Sequence, residues 1–144
     1  MQVRAITRED IDALTGLENA CFTEFWSQGQ ILGSMSRADF CGVIAETDTK
    51  QAVGYLLGTC LFEDAEIARI AVKEDYRKQG VGKALISEFF TIVKEKGAER
   101  VFLEVRKSNA PAVSLYKHCG FLPTRVRERY YVDGEDALEM KINL

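Results

Sequence analysis

A basic turn that carries two glycines is the segment of this chain best suited to binding an anion. It covers residues 76–84, Tyr-Arg-Lys-Gln-Gly-Val-Gly-Lys-Ala, and separates a short apolar run at 67–72 from a long amphipathic run at 84–93. Where a strand turns directly into a helix, successive backbone N–H groups point outward and the helix dipole adds partial positive charge. Gly80 and Gly82 would let a phosphate approach the backbone without meeting a Cβ. The segment therefore predicts an anion site at the start of a helix.

Two widespread phosphate motifs do not fit this turn. A P-loop, Gly-x-x-x-x-Gly-Lys-Ser/Thr, would need its first glycine at Arg77 and its magnesium-binding hydroxyl at Ala84. The dinucleotide fingerprint, Gly-x-Gly-x-x-Gly, fails because Leu85 stands at its third glycine. On this segment alone, a solvated turn that only caps the helix is the alternative to a phosphate site.

A second segment, at 101–121, contains Leu-Glu-Val-Arg, Ser-Asn, Leu-Tyr and Gly-Phe in that order. Together the two segments resemble the GNAT family of N-acetyltransferases. The pattern Arg77-x-x-Gly80-x-Gly82 matches the pyrophosphate-binding turn of that family, and the 101–121 segment is similar to its second cofactor block. This version most resembles the RimI branch, which acetylates the N-terminal alanine of a small-subunit ribosomal protein. The resemblance covers nearly the whole chain.

The resemblance implies acetyl-CoA as co-substrate, no metal, and a set of residues that hold the co-substrate. Those residues come from the strand before the basic turn, from the turn and from the start of a later helix: Ile70, Ala71, Val72, Arg77, Lys78, Gln79, Gly80, Val81, Gly82, Lys83 and Asn109. Asn109 can also cap the helix that follows it, and capping alone would justify an asparagine there.

Glu104 is a carboxylate in an otherwise apolar predicted strand. Strands of a parallel unit are usually buried on both faces, where an unpaired carboxylate is costly. Its position near the carboxyl end of the strand, where open α/β sheets bind their ligands, offers a function instead. The resemblance implies that Glu104 is the general base. The alternative is a structural ion pair with Arg69 or Arg106.

Tyr116, on a predicted helix, is the second candidate catalytic residue. Most tyrosines at such positions are core residues, but the resemblance implies that this one faces the cofactor sulfur. A phenol placed there can protonate the departing thiolate. His118 is the only histidine of the chain, so the sequence indicates neither a zinc site nor a Ser-His-Asp triad.

Four aromatic residues mark the expected acceptor site: Phe25, Trp26, Tyr130 and Tyr131. In RimI-like proteins the corresponding regions border the peptide groove, so the resemblance implies a substrate-binding role. Packing is the alternative for each residue taken alone.

Composition limits the classes of protein to consider. The chain has 144 residues, 47% hydrophobic and 28% charged, with a net charge of −3, which predicts one globular domain spanning 1–144. The negative charge argues against broad nucleic-acid binding and suits a cationic acceptor. No apolar run approaches the roughly 20 residues of a membrane span, and four scattered cysteines indicate reduced thiols. We therefore expect a cytoplasmic monomer or weak dimer that binds neither membrane nor nucleic acid.

The order of predicted elements is β, α, α, three strands, α, β, α and a C-terminal hairpin. This is an α/β three-layer domain with a mixed sheet of about seven strands and about four helices. Residues 66–105 form a βαβ unit with parallel strands, and the resemblance implies that those strands splay apart around the pantetheine arm. The hairpin is expected from strands at 125–132 and 136–142 around Asp133-Gly134.

The arginines at 125, 127 and 129 alternate along the first hairpin strand. We expect them to lie on a solvated face of the sheet rather than in a nucleic-acid patch.

The predicted function is acetyl transfer from acetyl-CoA to a protein N-terminal α-amine, with a ribosomal protein as acceptor, by direct attack in a ternary complex. A small-molecule amine or a lysine is an alternative acceptor on the same fold, and a closed acceptor pocket would favour a metabolite. A non-catalytic acyl-CoA-binding module is the alternative of another class. The joint presence of Glu104 and Tyr116 counts against that module.

Overall fold

The computed structural model describes residues 1–144 as seven strands, four α-helices and two short 3-10 helices. The 3-10 helices cover Arg8–Asp10 and Glu74–Tyr76. The α-helices are α1 (Ile11–Cys21), α2 (Gln28–Met35), α3 (Val81–Glu95) and α4 (Ala110–His118). The strands are β1 (Gln2–Ala5), β2 (Phe40–Glu46), β3 (Ala52–Leu61), β4 (Asp64–Val72), β5 (Arg100–Arg106), β6 (Leu122–Arg127) and β7 (Ala137–Asn143).

All seven strands form one mixed sheet in the order β1-β2-β3-β4-β5-β7-β6. Only β4 and β5 pair in parallel, and every other neighbouring pair is antiparallel. Helices α1 and α2 pack on one face, whereas α3 and α4 pack on the other. The predicted α/β three-layer architecture, with its seven strands, four helices and final hairpin, is confirmed.

Capping residues fix the starts of the helices. The Ser27 hydroxyl accepts a hydrogen bond from the Gln30 N–H at 3.1 Å, and the Gln30 side chain accepts one from the Ser27 N–H at 2.7 Å. Thr7 and Asp10 form the equivalent box before α1. These reciprocal bonds satisfy amides that a helix start leaves free. Beyond the end of α3, Gly97 takes the left-handed conformation at φ +100°, as expected of a glycine stop.

The core is divided by the sheet into two parts. The larger part lies between the sheet and α3 and α4, and the smaller part lies between the sheet and α1 and α2. Strand β3 contributes to both, because its residues from 53 to 58 are buried on either face. This central strand therefore holds the two helical layers together.

Strand β4 contains a bulge at the point where β5 stops pairing with it. Leu57 of β3 pairs with Arg69 whereas Gly58 pairs with Ile67, so Ala68 has no partner. The parallel ladder between β4 and β5 stops at the same place, with Ile67 opposite Leu103 as its last pair. A bulge bends its strand and increases the local twist, which here turns the end of β4 away from β5.

The C-terminal hairpin differs from the predicted one in its bounds and its turn. Strand β6 starts at Leu122 and ends at Arg127, and residues 128–136 form a nine-residue loop. The chain leaves the ladder because Arg129 adopts φ +50° and donates its N–H to the Asp136 carboxylate at 3.0 Å. Asp133 and Glu135 then form ion pairs with Arg106 at 2.8 and 3.0 Å. These tertiary contacts override the Asp-Gly turn signal.

The expected arginine face is solvated at Arg125, whose side chain is 58% exposed, and half-buried at Arg127. Arg125 and Arg127 both form ion pairs with the Glu139 carboxylate of β7, at 3.3 and 3.0 Å. Arg129 lies beyond the strand. Pairing between β6 and β7 brought the carboxylate within reach, and that pairing cannot be read from a single strand.

No helix combines the length and the apolar character that a membrane crossing needs. All four cysteines are free thiols. The histidine, cysteine and acidic side chains form no cluster that could hold a metal ion.

We predict that Gly58→Ala lowers the free energy of unfolding by about 2 kcal/mol, because an overpacked core costs roughly that amount. A Cβ at Gly58 would lie 2.5 Å from the Glu66 carbonyl oxygen and 2.7 Å from the Phe89 ring. Chemical denaturation measures the effect. Gly33→Ala in α2 is the control, because its Cβ would meet nothing within 4 Å, and it should be neutral or stabilising. Equal stability of the two variants would contradict the close packing at the bulge.

Candidate active site at the parting of two strands

The gap between the ends of β4 and β5 is the centre of the candidate site. Beyond the last paired residues, the ends of the two strands make no ladder with each other. The Lys73 N–H bonds to the Val53 carbonyl on the β3 side at 2.8 Å. Alternation along a strand then turns the N–H groups of Val72 and Ile70 toward the gap. The splay that the resemblance implied is confirmed, and it leaves backbone donors free to bind a ligand.

The basic turn presents a run of free backbone amides at the start of α3. The backbone amides of residues 78–83 donate no hydrogen bond within the chain. The next amide, that of Ala84, donates to the Gly80 carbonyl at 3.0 Å. Lys78 and Gly80 adopt left-handed φ values of 60° and 84°. The Arg77 Nε donates to the Val72 carbonyl at 2.8 Å, which ties the turn to the end of β4. This arrangement is a concave donor site for an anion.

The two glycines of the turn, Gly80 and Gly82, have different structural roles. A Cβ at Gly82 would lie 3.0 Å from Leu115 Cδ2 of α4, so this glycine allows α3 and α4 to approach each other. A Cβ at Gly80 would meet nothing within 4 Å. The open side of the turn therefore belongs to Gly80, and the phosphate-approach argument made for both glycines applies there.

Asn109 caps α4, as predicted from its position. Its side-chain oxygen accepts a hydrogen bond from the Ala112 N–H at 3.2 Å, and Pro111 occupies the first turn. Its cofactor contact stays a prediction.

Glu104 lies on β5 with its side chain on the sheet face opposite α3. The alternating residues Leu103 and Val105 are buried in the core beneath α3 and α4, so Glu104 points the other way. The Glu104 Oε1 lies 3.2 Å from the Arg127 Nε, although the two atoms are not aligned as a hydrogen bond. The structural ion pair considered as the alternative for Glu104 is therefore present, with Arg127 of β6 as its partner.

The ion-pair partners considered for Glu104 from the sequence, Arg69 and Arg106, are wrong. Arg69 binds Glu18 of α1 instead, at 2.6 Å, and Arg106 turns to the 128–136 loop. Only Arg106 is close to Glu104 in sequence, and the fold supplies both arginines with other carboxylates.

A groove of about 470 Å³ runs along this face of the sheet. Glu66, Glu104 and Glu139 line it together with Arg127, whose Nη2 donates to Glu139 at 3.0 Å. Burial and the negative charges of Glu104 and Glu139 raise the pKa of Glu66. The groove therefore holds more negative than positive charge around Glu104, a field that attracts cations.

Tyr116 is buried on α4, on the other side of the sheet. Its ring packs edge-on against Phe121 with the ring centroids 5.8 Å apart, and its hydroxyl makes no hydrogen bond within the chain. Burial raises the pKa of Tyr116, and the neighbouring Tyr131 and Cys119 raise it further. The phenol therefore stays protonated at neutral pH and can donate a hydrogen bond.

The two candidate catalytic residues thus lie on opposite faces of the sheet, and the gap between β4 and β5 connects those faces. One reactant can reach the gap from the side of Tyr116 and the basic turn. The other can reach it from the side of Glu104 and the groove. The geometry suits a reaction in which two substrates meet in the gap.

The four aromatic residues form two pairs. Tyr130 and Tyr131 pack edge-on at 5.1 Å on the side of β5 and β7, and the charge of Glu104 is the largest cause that raises the pKa of Tyr130. Phe25, 53% exposed, and Trp26 lie in the loop between α1 and α2, on the side of β4. The structure therefore places the pairs on the two sides of the gap.

Sequence reasoning missed three charged residues of the site: Glu18, Glu66 and Arg127. Glu18 had a usable signal, because it stands four residues after Leu14 on the apolar stripe of α1 and a carboxylate there needs a partner. Glu66 and Arg127 had none, since their roles depend on strands that meet only in the folded sheet.

Comparison with known proteins identifies the family. The model of the acetyltransferase (GNAT) family matches residues 9–121. A Bacillus subtilis protein to which [ribosomal protein bS18]-alanine N-acetyltransferase activity is ascribed is 37% identical, over 99% of this chain and 95% of its own length. An N-alpha-acetyltransferase of Sulfurisphaera tokodaii is 32% identical, over 96% of this chain and 90% of its own.

Among solved structures, the ribosomal-protein-S18-alanine N-acetyltransferase of Escherichia coli superimposes with a TM-score of 0.89 at 27% identity, covering 99% of this chain and 92% of its own. The chain belongs to the GNAT family of acetyltransferases and is an acyltransferase. The resemblance to the RimI branch is confirmed.

We predict that Gly80→Ala weakens the binding of acetyl-CoA by about tenfold or more, measured by calorimetry. An alanine disfavours the left-handed backbone of the turn by roughly 1–2 kcal/mol, and its Cβ would occupy the open side. Gly97→Ala at the other end of α3 is the matched control, because its φ is +100° and its Cβ also meets nothing. Both variants should lose stability, but only Gly80→Ala should lose affinity. Equal affinities would remove the anion-site assignment.

Proposed function

We propose that this chain is a single-domain N-acetyltransferase that transfers the acetyl group of acetyl-CoA to the α-amine of a protein N-terminus, with a ribosomal protein as acceptor. The observation that carries the proposal is the gap between β4 and β5, with Glu104 on one face and Tyr116 on the other. The names of the relatives, which refer to the alanine of bS18 and to N-alpha-acetylation, support this acceptor class. The four free thiols support a reducing, cytoplasmic location.

In the proposed mechanism both substrates bind before the reaction. The free amides of the basic turn and Arg77 hold the pyrophosphate, and the N–H groups of Ile70 and Val72 hold the pantetheine arm. An amide donor aimed at the thioester oxygen stabilises the negative charge that develops there, as an oxyanion hole does.

Proton transfers complete the proposed reaction. The amine nitrogen attacks the thioester carbon, and Glu104 takes the proton that the nitrogen loses, directly or through a water molecule. The carbon–sulfur bond breaks, and Tyr116 donates its hydrogen bond or proton to the sulfur. No covalent enzyme intermediate is required.

The type of amine favours an N-terminal acceptor over lysine. An α-amino group has a pKa of about 7.7–8.0 and lysine about 10.4, so roughly a tenth of α-amines but only about 0.04% of lysines are neutral at pH 7. A single carboxylate such as that of Glu104 is a sufficient base for the first case. The open groove lined by Glu66, Glu104 and Glu139 also suits a peptide better than a small metabolite.

The decisive experiment is acetylation of a peptide library that offers free N-termini and internal lysines in separate positions, read by mass spectrometry. We expect acetylation of the α-amine, strongest on a small first residue followed by arginines. Acetylation confined to lysines, or to small amines, would reject the proposed acceptor. The absence of any turnover would favour the acyl-CoA-binding module.

We predict that Tyr116→Phe lowers kcat by roughly 10²–10⁴-fold, the usual range for the loss of a proton donor. The affinity for acetyl-CoA should change little. Thermal stability should also change little, because the hydroxyl makes no hydrogen bond within the chain. A kcat within a few-fold of the wild-type value would make Tyr116 a packing residue only.

We predict that Glu104→Gln reduces activity most at low pH and least above pH 8. Below about pH 7.7 most α-amines are protonated and a base must remove the proton, whereas above that value the amine is already neutral. The pH–rate profiles of both proteins on one peptide test this expectation. Glu139→Gln removes a charge directly opposite on the sheet and should not reproduce the pH dependence. A defect of constant size from pH 6 to 9 would make Glu104 an orienting residue.

A further inference from the structure

Glu18 of α1 is a fully buried carboxylate to which the proposed mechanism gives no role. Its side chain is 0% exposed. Four donors satisfy it: the Tyr55 hydroxyl, the Arg69 Nε at 2.6 Å, the Arg69 Nη2 at 3.0 Å and the Trp26 N–H at 2.8 Å. Burial alone would raise the pKa of Glu18, but the bonds from Arg69, Tyr55 and Trp26 lower it below its usual value. The carboxylate therefore stays charged inside the smaller core.

Arg69 links this carboxylate to the loop between α1 and α2. Its guanidinium carbon lies 3.8 Å from the centre of the Phe22 ring and 5.0 Å from that of Trp26, and its Nη2 donates to the Glu24 carbonyl at 3.1 Å. Together with the bond from the Trp26 N–H to Glu18, these contacts tie residues 22–26 at their start, middle and end. No regular secondary structure holds this stretch.

Arg69 also lies beside the point where β4 and β5 separate. It is the first residue after the bulge at Ala68 and the second after Ile67, where β5 leaves β4. The loop is therefore anchored to the strand end that borders the gap. Phe25 and Trp26 belong to this anchored stretch, so the Arg69–Glu18 pair sets their distance from the gap.

A buried ion pair is a poor device for stability alone. Removing two charges from water costs several kcal/mol per ion, and well-packed apolar residues often serve as well or better. What a fully bonded polar network does provide is a single defined arrangement of the groups it joins. The bidentate Arg69–Glu18 contact has fixed directions, and stacking on two rings adds more constraint.

We propose that Arg69 and Glu18 are positioning residues for the acceptor. They hold Phe25 and Trp26 as an aromatic wall on the β4 side of the gap, opposite Tyr130 and Tyr131 on the β5 side. This inference rests on the proposed acceptor site, and it adds residues that act through the wall rather than by touching the substrate.

The two ends of the loop have anchors that do not depend on Arg69. The Cys21 thiol lies 3.6 Å from the Val72 carbonyl and holds the end of α1, while the Ser27 box holds the start of α2. Loss of the Arg69 contacts should therefore release residues 22–25 and the ring of Trp26 without detaching either helix. That difference separates a positioning role from a general structural one.

The test is Arg69→Lys, which keeps a positive charge beside Glu18 and so avoids an orphaned buried carboxylate. A lysine cannot form the fork, the bond to the Glu24 carbonyl or the stack on the rings. We expect KM for the acceptor peptide to rise by about tenfold or more, because small misplacements at a binding wall are costly. The affinity for acetyl-CoA should stay within about twofold, since the basic turn is untouched.

Trp26 supplies a second readout, because it is the only tryptophan of the chain. Its fluorescence should differ between the free wild-type and Arg69→Lys proteins, and it should respond to the acceptor peptide in the wild type. Arg4→Lys is the matched control: Arg4 also bridges two largely buried carboxylates, those of Asp10 and Glu46, but it does so on the edge strand β1. That variant should leave both KM values and the fluorescence unchanged.

The outcomes separate this inference from the proposed function. If wild type acetylates no N-terminal peptide, the proposed acceptor fails. If wild type acetylates the peptide but Arg69→Lys keeps its KM and its Trp26 emission, the positioning role is overturned. An equal loss in Arg69→Lys and Arg4→Lys, or equal effects on both substrates, would assign the ion pair to general stability and also overturn it.

Discussion

The parting of β4 and β5 is the constraint on which the rest of this structure depends. The two strands pair only from Asp64 and Arg100 to Ile67 and Leu103. After that point β4 keeps its ladder with β3 and β5 keeps its ladder with β7, so each strand stays supported on one side. Unpaired backbone groups inside a sheet are costly. Their presence here leaves free backbone donors along the gap.

The parting also separates two opposite electrostatic environments. The free amides of the basic turn, with Arg77, Lys78 and Lys83, lie at the start of α3, whereas the acidic groove lies on the other face of the sheet. The net charge of −3 is a sum over the whole chain and does not indicate this division. An anionic ligand and a cationic ligand can thus approach from opposite sides and meet only at the gap.

Three arginines show how the fold pairs charged residues with carboxylates that are distant in the sequence. Arg69 turns to Glu18 and fixes the loop on one side of the gap, while Arg127 reaches Glu104 and Glu139 on the other. Arg106 in turn holds the 128–136 loop through Asp133 and Glu135 and lies 4.1 Å from the centre of the Tyr131 ring. Each aromatic pair beside the gap is therefore held by an arginine paired with a carboxylate. Carboxylates that are distant in the sequence therefore fix the positions of the arginines around the gap.

The sequence by itself determined the order of the elements, because hydrophobic period, caps and glycine stops act within a few residues. Asn109, for example, marked a helix start that the structure keeps. The basic turn and the 101–121 segment were sufficient to indicate the family and to name Glu104 and Tyr116. What only the tertiary structure decided was everything that joins distant segments. Several features depend on strands and helices that meet only after folding, and a local sequence pattern does not contain information about those neighbours. They are the bulge at Ala68, the nine-residue loop after β6, the packing of Gly82 against Leu115, and the partners of Glu18, Glu104 and Arg127.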